Sequence, residues 1–318
     1  MKRAESIAVL AAVSLLGPRR AFAQEQPVLH AAGPPNDGFK AMYYGARSGI
    51  FAKYGLTVEI TPTNNGSAAA AALISGDMDV AMVNILTLIQ AHRKGIAMRM
   101  IAPNFWITSD KPNISALVLK DSPLRGGRDL AGKTIASPGL GDILSVGTQA
   151  WIDQNGGDSR TVHFIELPSS AAVQFLEQGR ADVVTVIEPF VGQAMATGKV
   201  RILAQPMYAI AKQLQVGSYV VMEPVVLKKF DAMSRLARGL HEASLYTNTH
   251  LAETVELVAS YSGASPEAIA KMNRVVDPEY CEVRYIQPVI DALAKYGAID
   301  KGFPAGEIIS SAALKPPR

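Results

Sequence analysis

Apolar positions along this chain follow two alternating periods. Short apolar runs bounded by Gly, Pro, Asn or Asp read as strands, and longer stretches with apolar residues three and four apart read as helices. "PVLHAAG" (27–33) is a predicted strand. In "NDGFKAMYYGARSGIFAKYG" (36–55), Phe39, Met42, Tyr43, Ala46 and Ile50 share a helical face, which Gly55 ends. "LTVEI" (56–60) alternates as a strand, and a helix over about 67–75 followed by "DVAMVNI" (79–85) completes the order β-α-β-α-β.

The order then repeats. "KTIAS" (133–137), "TVHFIEL" (161–167) and "DVVTVIE" (182–188) are predicted strands, separated by helices over 140–156 and 169–179. The second helix and third strand of each set even share a phrase: Ser67 aligns with Ser170, Leu73 with Leu176, Gly76 with Gly179, and Asp79-Val80 with Asp182-Val183, at one constant offset. Strands alternating with helices predict an α/β fold of parallel sheets covered on both faces. Two β-rich stretches, 113–123 and 217–226, flank the second set and are the expected joins between lobes. The expected division is 24–114 for the first part of lobe 1, 115–218 for lobe 2, and 219–318 for a mostly helical second part of lobe 1. In that tail, Ser265 followed by Pro266 marks a helix start.

Charge changes the picture mainly at the N-terminus. "MKRAESIAVLAAVSLLGPRRAFAQ" has a basic start, an apolar run too short to span a bilayer, and the small-residue site Ala21-Phe22-Ala23. It reads as a secretory signal cleaved after Ala23. Residues 1–23 carry Lys2, Arg3, Arg19 and Arg20 against Glu5, so without them the formal charge of +3 falls to zero. No basic excess remains to attract nucleic acid or anionic lipid. Cys281 is the single cysteine, which excludes an internal disulfide, and no cysteine follows the cleavage site to carry a lipid. The expectation is an exported, periplasmic monomer without cofactor or metal.

Ligands of open α/β sheets bind beyond the carboxyl ends of the strands. The loops there are 33–38, 61–67 and 84–87 in lobe 1, and 137–142, 166–170 and 187–190 in lobe 2. They hold Gly, Pro, Asn and Ser but no Arg or Lys; Lys40 is the nearest cation. Helix N-termini there offer unpaired N–H groups to a small anion or polar molecule. Ser67 and Ser170 are helix caps or ligand contacts, with Gly66 baring the backbone beside Ser67. Gly139 and Gly141 shape a turn or approach a ligand. Asn84 ends a buried strand, Glu188 caps or receives a cation, and Trp106 is core or cleft floor. Asp79 and Asp182 precede equivalent strands, where turn and cap duty is expected. No GxSxG, HExxH, Walker A or CxxC pattern is present, and the five histidines are scattered.

The stretches "ARSGIFAKYGLTVEI", "NGSAAAAALISGDMDVAMVN", "DLAGKTIASPGLGD", "FLEQGRADVVTVIEPFVGQA" and "KYGAIDKGFPAGEI" resemble the periplasmic substrate-binding proteins of ABC importers, in the nitrate/sulfonate/taurine and thiamine-pyrimidine-precursor superfamily. The resemblance implies a two-lobed periplasmic-binding-protein fold of type II-like plan with two crossovers and a ligand cleft between lobes. It implies a small-molecule solute, an ABC permease partner at the inner membrane, and ligand contacts at Asn36, Asp37, Phe39, Ser67, Asn84, Gly139, Gly141, Asp142 and Glu188. Phe39 stands where pyrimidine-precursor binders often carry a polar residue or His. The expected ligand is a monoanionic or zwitterionic organic molecule, sulfonate- or carboxylate-like, covered by Phe39 and Trp106. A secreted enzyme using Asp142 or Glu188 as base, or a ligand sensor docking on a receptor, are the rival readings.

Overall fold

The computed structural model describes residues 26–108, 112–188 and 190–317. The signal assigned to residues 1–23 lies outside the described residues. The strands are β1 (Val28–Gly33), β2 (Thr57–Pro62), β3 (Val80–Asn84), β4 (Met98–Thr108), β5 (Ile114–Leu119), β6 (Thr134–Ser137), β7 (His163–Glu166), β8 (Val183–Ile187), β9 (Val200–Ala204) and β10 (Gln213–Met222). The helices are α1 (Lys40–Arg47), α2 (Ile50–Lys53), α3 (Gly66–Ser75), α4 (Ile85–Arg93), α5 (Ile143–Gln154), α6 (Ala172–Glu177), α7 (Phe190–Ala196), α8 (Glu223–Lys228), α9 (Phe230–Thr249), α10 (Val255–Ser262), α11 (Pro266–Lys271) and α12 (Val283–Lys295).

They build two five-stranded sheets of matching plan, β2-β1-β3-β10-β4 and β7-β6-β8-β5-β9. In each sheet the β-α-β-α-β strands pair in parallel, as the alternating pattern predicts. Two further strands, β10 and β4 or β5 and β9, complete each sheet in antiparallel pairing, so the sheets are mixed rather than all parallel. The chain passes from β4 into β5, and back from β9 into β10, which are the two crossovers. The return comes earlier than residue 219: Gly217 of β10 already pairs with Asn84 of β3, so the first sheet is re-entered at Gln213.

The repeated phrase folds as a repeated device. Leu73 and Leu176 are both buried, on α3 and α6. Gly76 (φ +89°) and Gly179 (φ +64°) end those helices in the left-handed region, where a side chain would be strained. Asp79 then donates its N–H to the His30 carbonyl (2.8 Å) and accepts the His30 N–H at its carboxylate (3.0 Å). Asp182 does the same to Thr134, at 2.8 and 2.9 Å.

The first predicted helix is broken at Ser48-Gly49 into α1 and α2, and in the tail Lys229 separates α8 from α9. Most of the tail packs on lobe 1: Met233, Leu236 and Leu240 of α9 join Leu29, Met42 and Tyr219 in one core. Helix α12 also reaches the other lobe, since Ile286, Val289 and Ile290 share a core with Leu144 and Val146 of α5. Among the described residues no helix is long and apolar enough to cross a membrane.

Candidate functional site

The carboxyl ends of β1, β3 and β8, the middle of β4, and the segment after α11 surround one cleft of about 570 Å³. That volume is in the range of small-molecule sites. Lobe 1 contributes Asn36, Asp37, Asn64, Asn65, Gly66, Met82, Asn84, Asn104 and Phe105. Lobe 2 contributes Ile187, Glu188 and Phe190, while Asn113 lies at the crossover, and Met272 and Asn273 come from the tail. Among the described residues, the lining has no Lys, Arg, His or Cys. Its polar character comes largely from neutral amides.

Two helices start at the wall. Asn65, not Ser67, caps α3, accepting the Ala68 N–H at 2.9 Å. Ser67 is exposed as the second residue of the helix and does not line the cleft. Asn is as good a cap as Ser, so "NNGS" offered two solutions and the backbone took the first. Asn84 caps α4 by accepting both the N–H (2.7 Å) and the hydroxyl (2.9 Å) of Thr87. Ser170 caps nothing: it sits inside a 3-10 turn over Ser169–Ala171.

Asp37 lines the cleft, but its carboxylate is already engaged. Arg274 approaches it at 2.7 Å and the Val275 N–H donates to it at 2.6 Å. Lys40 is fully buried and donates to the Val275 carbonyl at 2.7 Å, with Asp277 at 3.8 Å. Burial raises the Asp277 carboxyl above its ordinary value, and Lys40 opposes that shift. The network continues through Asn104, which donates to the Gly38 carbonyl and to Asp277. These charges hold the cleft floor together rather than face a ligand.

Phe39 also has its partners within the protein. Its ring is fully buried, edge-on to Tyr43 at 5.6 Å and stacked on Tyr219 at 6.0 Å, beneath the backbone of Gly33. At the N-cap of α1, its ring turns inward with the apolar face of that helix. Trp106 also lies outside the lining, its ring 5.2 Å from Tyr285 of α12. The aromatic that does line the cleft from β4 is its neighbour Phe105, held at φ +48°, an uncommon conformation for a side-chain-bearing residue. Asp277 accepts the Phe105 N–H at 3.1 Å and fixes that conformation. Opposite it, a Cβ on Gly217 would stand 2.6 Å from Asn104 Oδ1, so β10 approaches here only as glycine.

Gly139, Gly141 and Asp142 sit at the carboxyl end of β6, beside β8 in the sheet, but outside the lining. Asp142 caps α5, accepting the Ser145 N–H at 2.8 Å. Burial raises its carboxyl above the ordinary value against the hydrogen bonds of Ser145 and Ser137. Glu188 does line the cleft, and its Oε1 accepts from Asn273 of the tail at 3.3 Å while its Oε2 accepts the Gly192 N–H at 3.0 Å. Asn65, Asn104, Phe105, Asn113, Phe190 and Asn273 are the lining residues that sequence reasoning did not single out. Only the first carried a local signal, its position before an alanine run.

A family model described as NMT1/THI5 like matches residues 36–253. The chain belongs to that family. A comparison with the curated proteins finds no match. Among solved structures, the NMT1/THI5-like chain is similar to the periplasmic aliphatic sulphonate binding protein SsuA of Escherichia coli, with TM-score 0.74, 18% identity, and coverage of 89% of this chain and 97% of that one. It is similar to the periplasmic nitrate-binding protein NrtA of Synechocystis PCC 6803, with TM-score 0.70, 13% identity, and coverage of 90% and 86%. The desulfurization enzyme DszB shares the fold at TM-score 0.65, 14% identity, and coverage of 90% and 97%. The fold is therefore that of periplasmic binding proteins, and it is shared by binding proteins and at least one enzyme.

Proposed function

We propose that this NMT1/THI5-like protein is an exported solute receptor that hands a small organic molecule to an ABC permease at the inner membrane. The cleft carries the reading: it is of ligand size, contacts both lobes, and its described lining is mostly amides and apolar side chains, with no nucleophile–base pair among the described residues. Its solute is a monoanion or zwitterion, sulfonate- or carboxylate-like. Asn36, Gly66, Asn84 and Glu188 are the contacts retained from the sequence. Helices α3 and α4 begin at Gly66 and Ile85, and the first N–H groups of each lack helical partners. Each such end favours a negative group by about 0.3–1 kcal/mol. Phe105, Phe190, Met82 and Met272 offer an apolar surface for the body of the solute. The signal at residues 1–23, cleavage after Ala23, a periplasmic location without a lipid anchor and a monomeric state belong to the same proposal.

The likeness to DszB raises an enzymatic reading, but in the described residues Glu188 is held by Asn273 and Gly192 rather than set beside a nucleophile. A solute library screened by thermal shift, scattering and product analysis tests the choice. A receptor saturated a hundredfold above Kd gains about 2.7 kcal/mol, a rise of about 5 °C for a chain of this size, with a smaller radius as the lobes close. Turnover of the bound compound, or tight binding with an unchanged radius, overturns the reading.

A further inference from the structure

One aromatic residue of the cleft wall is held there against the preference of its own backbone. Among the described residues, Phe105 alone bears a side chain at positive φ, +48°. That region is an outlier for a bulky residue and persists only where the surroundings over-determine it. They do so here. Successive N–H groups of an extended strand point to opposite edges. Those of Phe105 and Trp106 both go to the tail, to the Asp277 carboxylate at 3.1 Å and to the Val276 carbonyl at 2.7 Å. Asp277 is buried and itself held: its carboxylate accepts from Asn104 and Ser244, and its backbone N–H and carbonyl both bond Asn248. Strand β4 keeps its pairing with β10 on either side, through Asn104 and Trp106, so the left-handed turn does not end the strand but re-aims one side chain. On the cleft side the fold makes room for it. Phe105 is only partly buried and lines the cleft with Met82, Phe190 and Gly217. A Cβ on Gly217 would stand 3.1 Å from Phe105 Cβ, so the neighbouring strand carries no side chain beside it.

We propose that Phe105 is a preset stacking platform, and that the cleft selects solutes carrying a flat aromatic ring over saturated rings with the same head group. A flat ring can lie on Phe105 or meet it edge-on, and such contacts add to what apolar burial gives. A puckered ring gains burial alone. Because the platform is fixed by the backbone before the solute arrives, little ordering is left for binding to impose on it. The inference rests on the cleft being the solute site, but not on the solute's charge.

The test is calorimetric titration with ring pairs that share a head group: benzenesulfonate against cyclohexanesulfonate, benzoate against cyclohexanecarboxylate, and neutral benzamide against cyclohexanecarboxamide. The saturated ring has the larger apolar surface, so burial alone favours it. Wild type should instead prefer the flat member of a pair by about three- to tenfold. Phe105→Leu, which keeps apolar bulk without a flat face, should bring the two members within about twofold of each other, and Phe105→Tyr should retain the preference. If Phe105→Leu does not fold, Phe105→Gly reports instead, since glycine adopts positive φ without strain: a folded variant that loses the preference supports the platform, and one that keeps it overturns the platform. Flat-ring preference in the neutral pair, with neither anion pair bound, supports the platform and overturns the monoanion reading. Anions bound without flat-ring preference, or with a preference that survives Phe105→Leu, overturn the platform and leave the monoanion reading standing. Failure of every probe to bind folded wild type overturns both.

Discussion

Asp79 and Asp182 occupy the same place in the two lobes and make the same pair of hydrogen bonds to a neighbouring strand, Asp79 to His30 and Asp182 to Thr134. Each also faces a lysine, Lys229 at 2.9 Å and Lys133 at 3.3 Å. Hydrogen bonds to charged groups contribute about 1.5–3 kcal/mol, and partial exposure lowers that figure. Asp79→Ala and Asp182→Ala should each cost about 1–2 kcal/mol in urea unfolding, and the double variant should cost nearly the sum, because the sites share no partner. Strong coupling between them would show that the two devices do not act separately.

Asp142 predicts a pH signature. Its carboxyl is raised by burial, so its contribution is fully present below the unfolded value of 3.8 and is lost as pH rises through the raised folded value. Asn caps a helix as well as Asp and carries no charge to bury. Asp142→Asn should therefore gain stability relative to wild type as pH climbs from about 3.5 to 7. Unfolding midpoints across that range check the sign, and a constant difference would rule it out. Asp142→Ala, which removes the cap, should cost about 1 kcal/mol.

Phe39 tests core against cleft. Phe39→Ala should destabilise the fold by about 3–5 kcal/mol, while a solute that still binds the folded variant should do so within a few fold of wild type. A variant of normal stability with lost binding would return Phe39 to the solute.

The buried pair of Asp37 and Arg274 predicts non-additivity. Either Asp37→Leu or Arg274→Met alone strands a buried charge and should cost about 3–5 kcal/mol. Together they remove both charges, so the double variant should be more stable than either single one. A thermal denaturation cycle measures this, and simple addition of the two losses would contradict the pairing.

The β-α-β-α-β halves were legible because short apolar runs alternate with helical stretches, and turn residues such as Gly33, Pro62, Asn84 and Ser137 close several of the strands. Strand β4 was not. Residues 98–108 are buried on both sides, so no alternation marks them, and Pro103 and Asn104 interrupt the run. At the site, the loops at Asn36, Gly66, Asn84 and Glu188 followed from topology. Asn113 and Asn273 did not, because long-range contacts bring them together: they are far apart in sequence and ordinary in local pattern. The buried partners of Asp37 and Phe39 could not be read from sequence, because a charged or aromatic residue in a cleft loop looks the same whether it faces solvent or a buried partner such as Arg274 or Tyr219.

Strand order also sets a timetable for folding. The second sheet is built entirely from residues 114–204, whereas the first has β10 inserted between β3 and β4. As the chain grows from its N-terminus, β4 has no neighbour across from β3 until residues 213–222 arrive. The lobe that begins first must therefore finish last, with a gap in its middle while the other lobe condenses. A chain stopped at residue 212 would carry one completed sheet and one divided one, with the open edges of β3 and β4 exposed to any strand that meets them.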